Sequence, residues 1–166
     1  PGSTCLYLGA SSGGTVSHIH DFVCGADNHH GGHLVAVEIS PRMVRDLVKL
    51  SAGRPGLVPV LGDARKPEQV AAFMRGKANW IHQDLSIADQ AETFVKIATS
   101  FLVPGGIGIL SLKAASERSS EGNDNTRFQK AERILMESDL LLQERIDLKG
   151  LEEQHVVFTC SSSTGD

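Results

Sequence analysis

Three carboxylates stand where the chain leaves an apolar run: Glu38, Asp63 and Asp84. A glycine-bearing loop precedes them, Gly9-Ala10-Ser11-Ser12-Gly13-Gly14-Thr15, directly after Leu6-Tyr7-Leu8. Glycine there lets a ligand approach the main chain, and a helix starting next to it offers N–H groups. A pyrophosphate calls for G-x-G-x-x-G. The spacing here is Gly9-x-x-x-Gly13-Gly14, with Ser11 where that motif has its middle glycine. The loop therefore suits a nucleoside without phosphates, one whose amino-acid moiety and sulfonium pass close to the backbone: S-adenosylmethionine. Glu38 can accept both ribose hydroxyls, as an acid after a second strand does in nucleotide-binding sheets. Asp63 can accept from an adenine amino group. Taken singly, each acid is equally a helix N-cap or a solvated loop residue. Three at matching ends suit a ligand with a cationic centre.

The elements that must position them follow from periodicity. Residues 5–9, 34–38, 57–61, 79–83 and 107–112 read as five buried strands. Val16, Ile19 and Val23 recur at helical spacing, as do Met43, Val44, Leu47 and Val48. Ser40-Pro41 looks like an N-cap followed by an N1 proline. Residues 67–75 read as a further helix. Phe94, Ile97, Ala98, Phe101 and Leu102 line a long one, which Pro104-Gly105-Gly106 stops. Phe128, Ala131 and Leu135 mark the last. Residues 140–148 and 155–160 then follow without a helix between them, so they pair antiparallel. This predicts an α/β, doubly wound, Rossmann-like, mostly parallel seven-stranded sheet with an antiparallel C-terminal hairpin strand. Ligands of such sheets lie outside the carboxyl ends of the strands. Lys113 ends strand five there, and His155, opening an antiparallel strand, comes to the same edge.

Composition sets bounds. The 166 residues are 40% hydrophobic and 22% charged, ordinary for one globular domain. That domain is expected over 4–160, with Pro1-Gly2-Ser3 a cloning remnant and 161–166 a loose tail. A chain opening on a core strand suggests native residues upstream. Residues 116–125 are polar and expected to be mobile. No apolar stretch is long enough to span a bilayer, and no secretory leader is visible. Cys5, Cys24 and Cys160 form no C-x-x-C pair and read as reduced thiols. A net charge of −4 gives no strong unaided attraction to nucleic acid. His29, His30 and His33 invite a metal, but only Asp27 and Cys24 stand near them, and no metal site is expected. Arg42, Arg45, Lys49, Arg54, Arg65 and Lys66 are either a basic face toward RNA backbone or ordinary surface charges.

The run Tyr7-Leu8-Gly9-Ala10-Ser11-Ser12-Gly13-Gly14-Thr15-Val16-Ser17-His18 resembles the cofactor loop of fibrillarin. Ala36-Val37-Glu38-Ile39-Ser40 with Arg45-Asp46-Leu47 resembles its second strand and helix. Gly62-Asp63-Ala64-Arg65-Lys66-Pro67, Asp84 with Asp89-Gln90, Gly105-Gly106 with Ser111-Leu112-Lys113-Ala114, and His155-Val156-Val157 match later motifs in order. The resemblance implies an S-adenosylmethionine-dependent RNA ribose 2′-O-methyltransferase acting on pre-ribosomal RNA inside a box C/D guide ribonucleoprotein. It implies three partners: the guide RNA, a Nop56/Nop58-type scaffold and a kink-turn-binding protein. Guide and partners would position a substrate that the acidic domain does not attract by itself. The location would be nucleolar in a eukaryote and cytoplasmic in an archaeon.

Carried over by position, the cofactor residues are Gly9, Ala10, Gly14, Thr15, Glu38, Ile39, Asp63, Ala64, Asp84, Leu85, Ser86, Ile87 and Gln90. Of the family's Lys-Asp-Lys-His set, Asp84, Lys113 and His155 match the last three; the first lysine has no counterpart. Three further departures are visible. Gly14-Thr15 replaces Thr-Thr. Asp84-Leu85-Ser86-Ile87-Ala88-Asp89-Gln90 replaces Asp-Val-Ala-Gln-Pro-Asp-Gln. Residues 24–32 form a longer loop. Two other readings remain: a ribonucleoprotein scaffold that keeps the fold without chemistry, and a methyltransferase that needs no guide.

Overall fold

The computed structural model describes residues 1–117, 123–148, 150–152 and 154–164. Its strands, β1 (Thr4–Leu8), β2 (His33–Glu38), β3 (Leu57–Leu61), β4 (Ala78–Asp84), β5 (Leu102–Lys113), β6 (Leu140–Asp147) and β7 (His155–Ser162), form a mixed, mostly parallel sheet in the order β3-β2-β1-β4-β5-β7-β6. Two compact units divide the chain, residues 1–81 and 82–166.

In the first unit β1, β2 and β3 run parallel. β1 and β2 are near-continuous apolar runs because parallel strands are covered on both faces. Leu8 pairs with Val37, and Glu38 with Leu61, so all three strands end in register at one edge. Helices α1 (Gly14–Val23) and α2 (Pro41–Ser51) join them. Val16 and Leu47 pack with Tyr7, Leu34 and Ala36 in one buried cluster. Helix α3 (Pro67–Ala71) is shorter than its sequence suggests. Past Ala71, the N–H groups of Phe73 and Met74 reach the carbonyls of Val70 and Ala71, three residues back, which tightens the last turn.

Residues 1–3 are hydrogen-bonded to the elements beside them. Gly2 N–H donates to Val23 O at 2.8 Å, and His33 N–H to Ser3 O at 3.0 Å. The cysteines are free and buried. Burial pushes the Cys5 thiol up to about 12 and the Cys160 thiol up to about 11.

β4 leads into the second unit, where β5, β7 and β6 pair antiparallel. Helices α4 (Gln90–Phe101) and α5 (Asp124–Met136) cover them. Phe94, Leu110, Leu112, Leu135 and Phe158 are fully buried. A Cβ on Gly108 would lie 2.7 Å from Phe94 Cζ, so glycine lets α4 close on β5. β5 begins at Leu102 and not at Ile107: Pro104-Gly105-Gly106 ends α4 but continues extended, with the kink taken at Gly105 (φ +72°). β7 runs two residues beyond Cys160, and Ser162 Oγ–H donates to Val103 O. Half of the expected mobile stretch, residues 118–122, and the end of the expected tail lie outside the described residues, while Asp124 and Asn125 at its other end already open α5.

Candidate functional site

The loop after β1 is tied to β2 before any ligand is considered. The N–H groups of Gly9 and Ala10 both donate to Val37 O, at 2.9 and 3.0 Å. Gly13 takes φ +98° as the N-cap of α1, and a Cβ there would come 2.4 Å from Leu50 Cδ2. Only glycine satisfies both conditions. Gly14 and Thr15 are exposed on the first turn, and a Cβ on Gly14 would meet nothing within 4 Å. Ala10 is buried.

Glu38 is the hub of this edge. Its Oε2 accepts Ser11 N–H at 2.8 Å and its Oε1 accepts Ser40 N–H at 2.9 Å. Ser40 thus receives help from Glu38 and makes no side-chain cap of its own. Ile39 beside it is 60% exposed, an apolar surface next to a carboxylate. Asp63 is engaged within the protein. Its two oxygens accept Arg65 Nε and Nη2 at 3.0 and 2.9 Å, and Oδ1 also accepts Arg65 N–H. That fork and backbone bond hold the Asp63 carboxyl below its ordinary value. Ala64 after it is buried.

The second cluster lies wholly in residues 82–166. Asp84 ends β4 at the surface, followed by half-buried Leu85, exposed Ser86 and half-buried Ile87. Lys113 stands opposite His155 in the β5–β7 ladder. The next residues carry the bond, Ala114 N–H to Gln154 O at 2.9 Å. Lys113 and His155 therefore form a non-hydrogen-bonded pair, the closer kind, with both side chains on one face. His155 Nδ1 lies 2.9 Å from Glu152 Oε2. The Asp84 carboxyl is raised above its ordinary value, chiefly because surrounding protein strips its hydration. His155 and Lys113 pull it down and Glu152 pushes it up. β4 lies beside β5 in the sheet, so Asp84 and Lys113 end neighbouring strands. Behind them His82 Nε2 meets Ser111 Oγ at 2.8 Å, and burial lowers that imidazole to about 4.

Sequence reasoning missed Glu152, whose signal is only its position three residues before His155. Gln90, grouped there with the cofactor residues, has no exposed surface, and its amide is spent on the Lys113 main chain. Among the six basic residues, Arg54 bonds Ser17 O, His20 Nδ1 and Asp21, and Arg65 holds Asp63, so these two serve the fold. His33 is buried with Nε2 toward Phe73 O, while His29 and His30 stay exposed. Among the described residues no three His, Cys, Asp or Glu side chains converge as a metal cluster.

A family model, Fibrillarin, matches residues 1–164. The chain belongs to the fibrillarin family. It is 36% identical over 157 residues to a fibrillarin-like rRNA/tRNA 2′-O-methyltransferase of Methanococcus voltae, covering 95% of this chain and 65% of that protein. The chain thus spans about 65% of that relative's length. A solved fibrillarin/Nop5p complex superposes with a TM-score of 0.84 at 30% identity, over 96% of this chain and 72% of that one. Aeropyrum pernix fibrillarin with natively bound S-adenosyl-L-methionine gives 0.79 at 27%, over 96% and 66%. In this fibrillarin-family chain, Asp84, Lys113 and His155 share one cluster, whereas Glu38 and the glycine loop form another.

Proposed function

We propose that this chain is the catalytic part of an S-adenosylmethionine-dependent RNA ribose 2′-O-methyltransferase. One observation carries the reading: Lys113 and His155 are cross-strand partners, and Asp84 ends the strand next to Lys113's own. A carboxylate, a fixed cation and an imidazole together are what deprotonation of a weakly acidic hydroxyl requires.

The first cluster fits the cofactor. A carboxylate offers about four lone-pair sites. Two on Glu38 hold loop N–H groups, and the remainder suit two ribose hydroxyls. The open space over Gly14 leaves room beside the loop. Ile39 offers an apolar face to a base. Asp63, braced by Arg65, keeps an acceptor site on Oδ2 that suits an adenine amino group. S-adenosylmethionine, when bound, supplies an activated methyl carbon for in-line transfer.

The protein's own part is position and proton handling. Asp84 takes the 2′-hydroxyl proton, and its raised affinity for protons suits a base. Lys113 stabilises negative charge growing on that oxygen. His155 orients the hydroxyl and is itself held by Glu152. The Nop5p complex of a relative supports a Nop56/Nop58-type partner for this chain. A guide RNA and a kink-turn-binding protein complete the assembly that brings pre-ribosomal RNA to an acidic domain.

The test is guide-directed methylation by the full-length protein reconstituted with scaffold, kink-turn binder and guide RNA. Transfer that vanishes in Asp84→Ala supports the enzyme. Assembly without transfer in the wild type indicates a scaffold, and transfer without guide indicates a free-standing methyltransferase. Calorimetry showing NAD bound more tightly than S-adenosylmethionine overturns the cofactor assignment.

A further inference from the structure

Gln90 opens α4 with none of its surface exposed. Its Nε2 donates to Lys113 O at 3.0 Å, and Lys113 N–H donates to its Oε1 at 3.0 Å. This reciprocal pair is what a neighbouring strand would offer a residue of β5. Here a side chain supplies it. Lys113 is thereby fixed on two sides, by His155 across the ladder and by Gln90.

Gln90 is held in turn. Its own N–H and its Nε2 both lie near Glu117 Oε2, at 3.3 and 3.4 Å. Its carbonyl accepts Gln83 Nε2 at 2.7 Å. Gln83 and Glu117 are also buried. A carboxylate only accepts, so Glu117 demands the NH₂ end of the amide on its side. That choice leaves Oε1 for Lys113 N–H. Glutamate at position 90 would accept but not donate, and methionine would do neither. Buried polar networks of this kind are demanding, and when fully paired they specify one geometry.

We infer that Gln90 is a positioning residue for Lys113, with Glu117 fixing the orientation of its amide, and that it does not contact the cofactor. The activity arm of this inference rests on the methyltransferase reading above. Lysine reaches its task over a long flexible stem. The place of its main chain decides whether Nζ lands beside Asp84.

The experiment compares wild type, Gln90→Met and Gln90→Glu as full-length protein in the reconstituted guide ribonucleoprotein. Both variants should lose at least about tenfold in kcat while the dissociation constant for S-adenosylmethionine stays within about twofold. The acid limb of the rate profile should move to higher pH, since a withdrawn Lys113 no longer favours the Asp84 carboxylate. A cofactor constant raised about tenfold with kcat intact overturns the inference in favour of a cofactor contact. A lowered melting temperature with kcat and pH profile unchanged also overturns it, leaving a merely structural glutamine. If one variant does not fold, the other carries the same readouts. If the wild-type particle transfers no methyl, the enzyme reading has failed and not this one. Amide exchange then decides: Lys113 N–H should exchange at least about tenfold faster in the variants, with Leu110 unchanged. Equal exchange at Lys113 overturns the positioning role.

Discussion

Glu152 Oε2 lies 2.9 Å from His155 Nδ1, in the turn that leads into β7. The contact engages Nδ1, so the ring's other hydrogen bonds are made through Nε2. The same carboxylate pushes the Asp84 carboxyl up, so Glu152 acts on both the imidazole and the base. Glu152→Gln keeps an acceptor for Nδ1–H but removes the charge. Asp84 then ionises at lower pH, and the acid limb of kcat should move down with little change at the plateau. Glu152→Ala should add a plateau loss of about tenfold, the worth of one charge-assisted hydrogen bond. Single-turnover rates between pH 5 and 9 check both.

Lys113→Met should act in the opposite sense. Lys113 lowers the Asp84 carboxyl, so its removal raises it and the acid limb moves up. The plateau should fall about 10²–10³-fold, as when a preorganised donor to developing oxyanion charge is lost. The same pH series reads this, and cofactor affinity by calorimetry should be unchanged.

Glu38→Gln tests the other cluster. Each carboxylate oxygen now accepts a backbone N–H. An amide can satisfy only one and sets an NH₂ against the other donor. Stability should fall by about 1–3 kcal/mol through that unmet group. The cofactor should also bind at least about tenfold more weakly, because one acceptor for the ribose is gone. Denaturant melts and titration calorimetry measure the two effects separately.

The parts of this molecule that repeat with a period were legible in the chain. Alternation and apolar runs place Glu38 at the end of β2, and the missing helix before residue 155 brings His155 to the same sheet edge as Lys113. What escaped were contacts fixed by side-chain reach and not by period. Arg65 closing on Asp63 is a local fork that no spacing rule distinguishes from a solvated arginine. Gln90 reads as a polar residue at a helix start, which is where a ligand contact is expected too. Only the return of β5 to the same place shows that its amide completes the ladder at Lys113. Ser40 reads as a side-chain cap, yet its hydroxyl accepts no N–H of α2, and the tie at this helix start is its own N–H donating to Glu38.

The adjacent glycines at the start of α1 should respond oppositely to substitution. At Gly13 the backbone is left-handed and the Cβ direction is filled by Leu50. Gly13→Ala should cost about 1–3 kcal/mol, part from the conformation and part from moving the Leu50 side chain. Because the loop's geometry moves with it, cofactor affinity should drop as well. At Gly14 there is open space on the first helical turn. Gly14→Thr restricts the unfolded chain without a clash and should stabilise by about 0.5 kcal/mol. It should also keep or improve binding of S-adenosylmethionine. Thermal melts of the two variants with and without the cofactor distinguish a loop that is shaped by Gly13 from one that merely tolerates glycine. Equal destabilisation at both positions would mean that the loop is packed differently from this description.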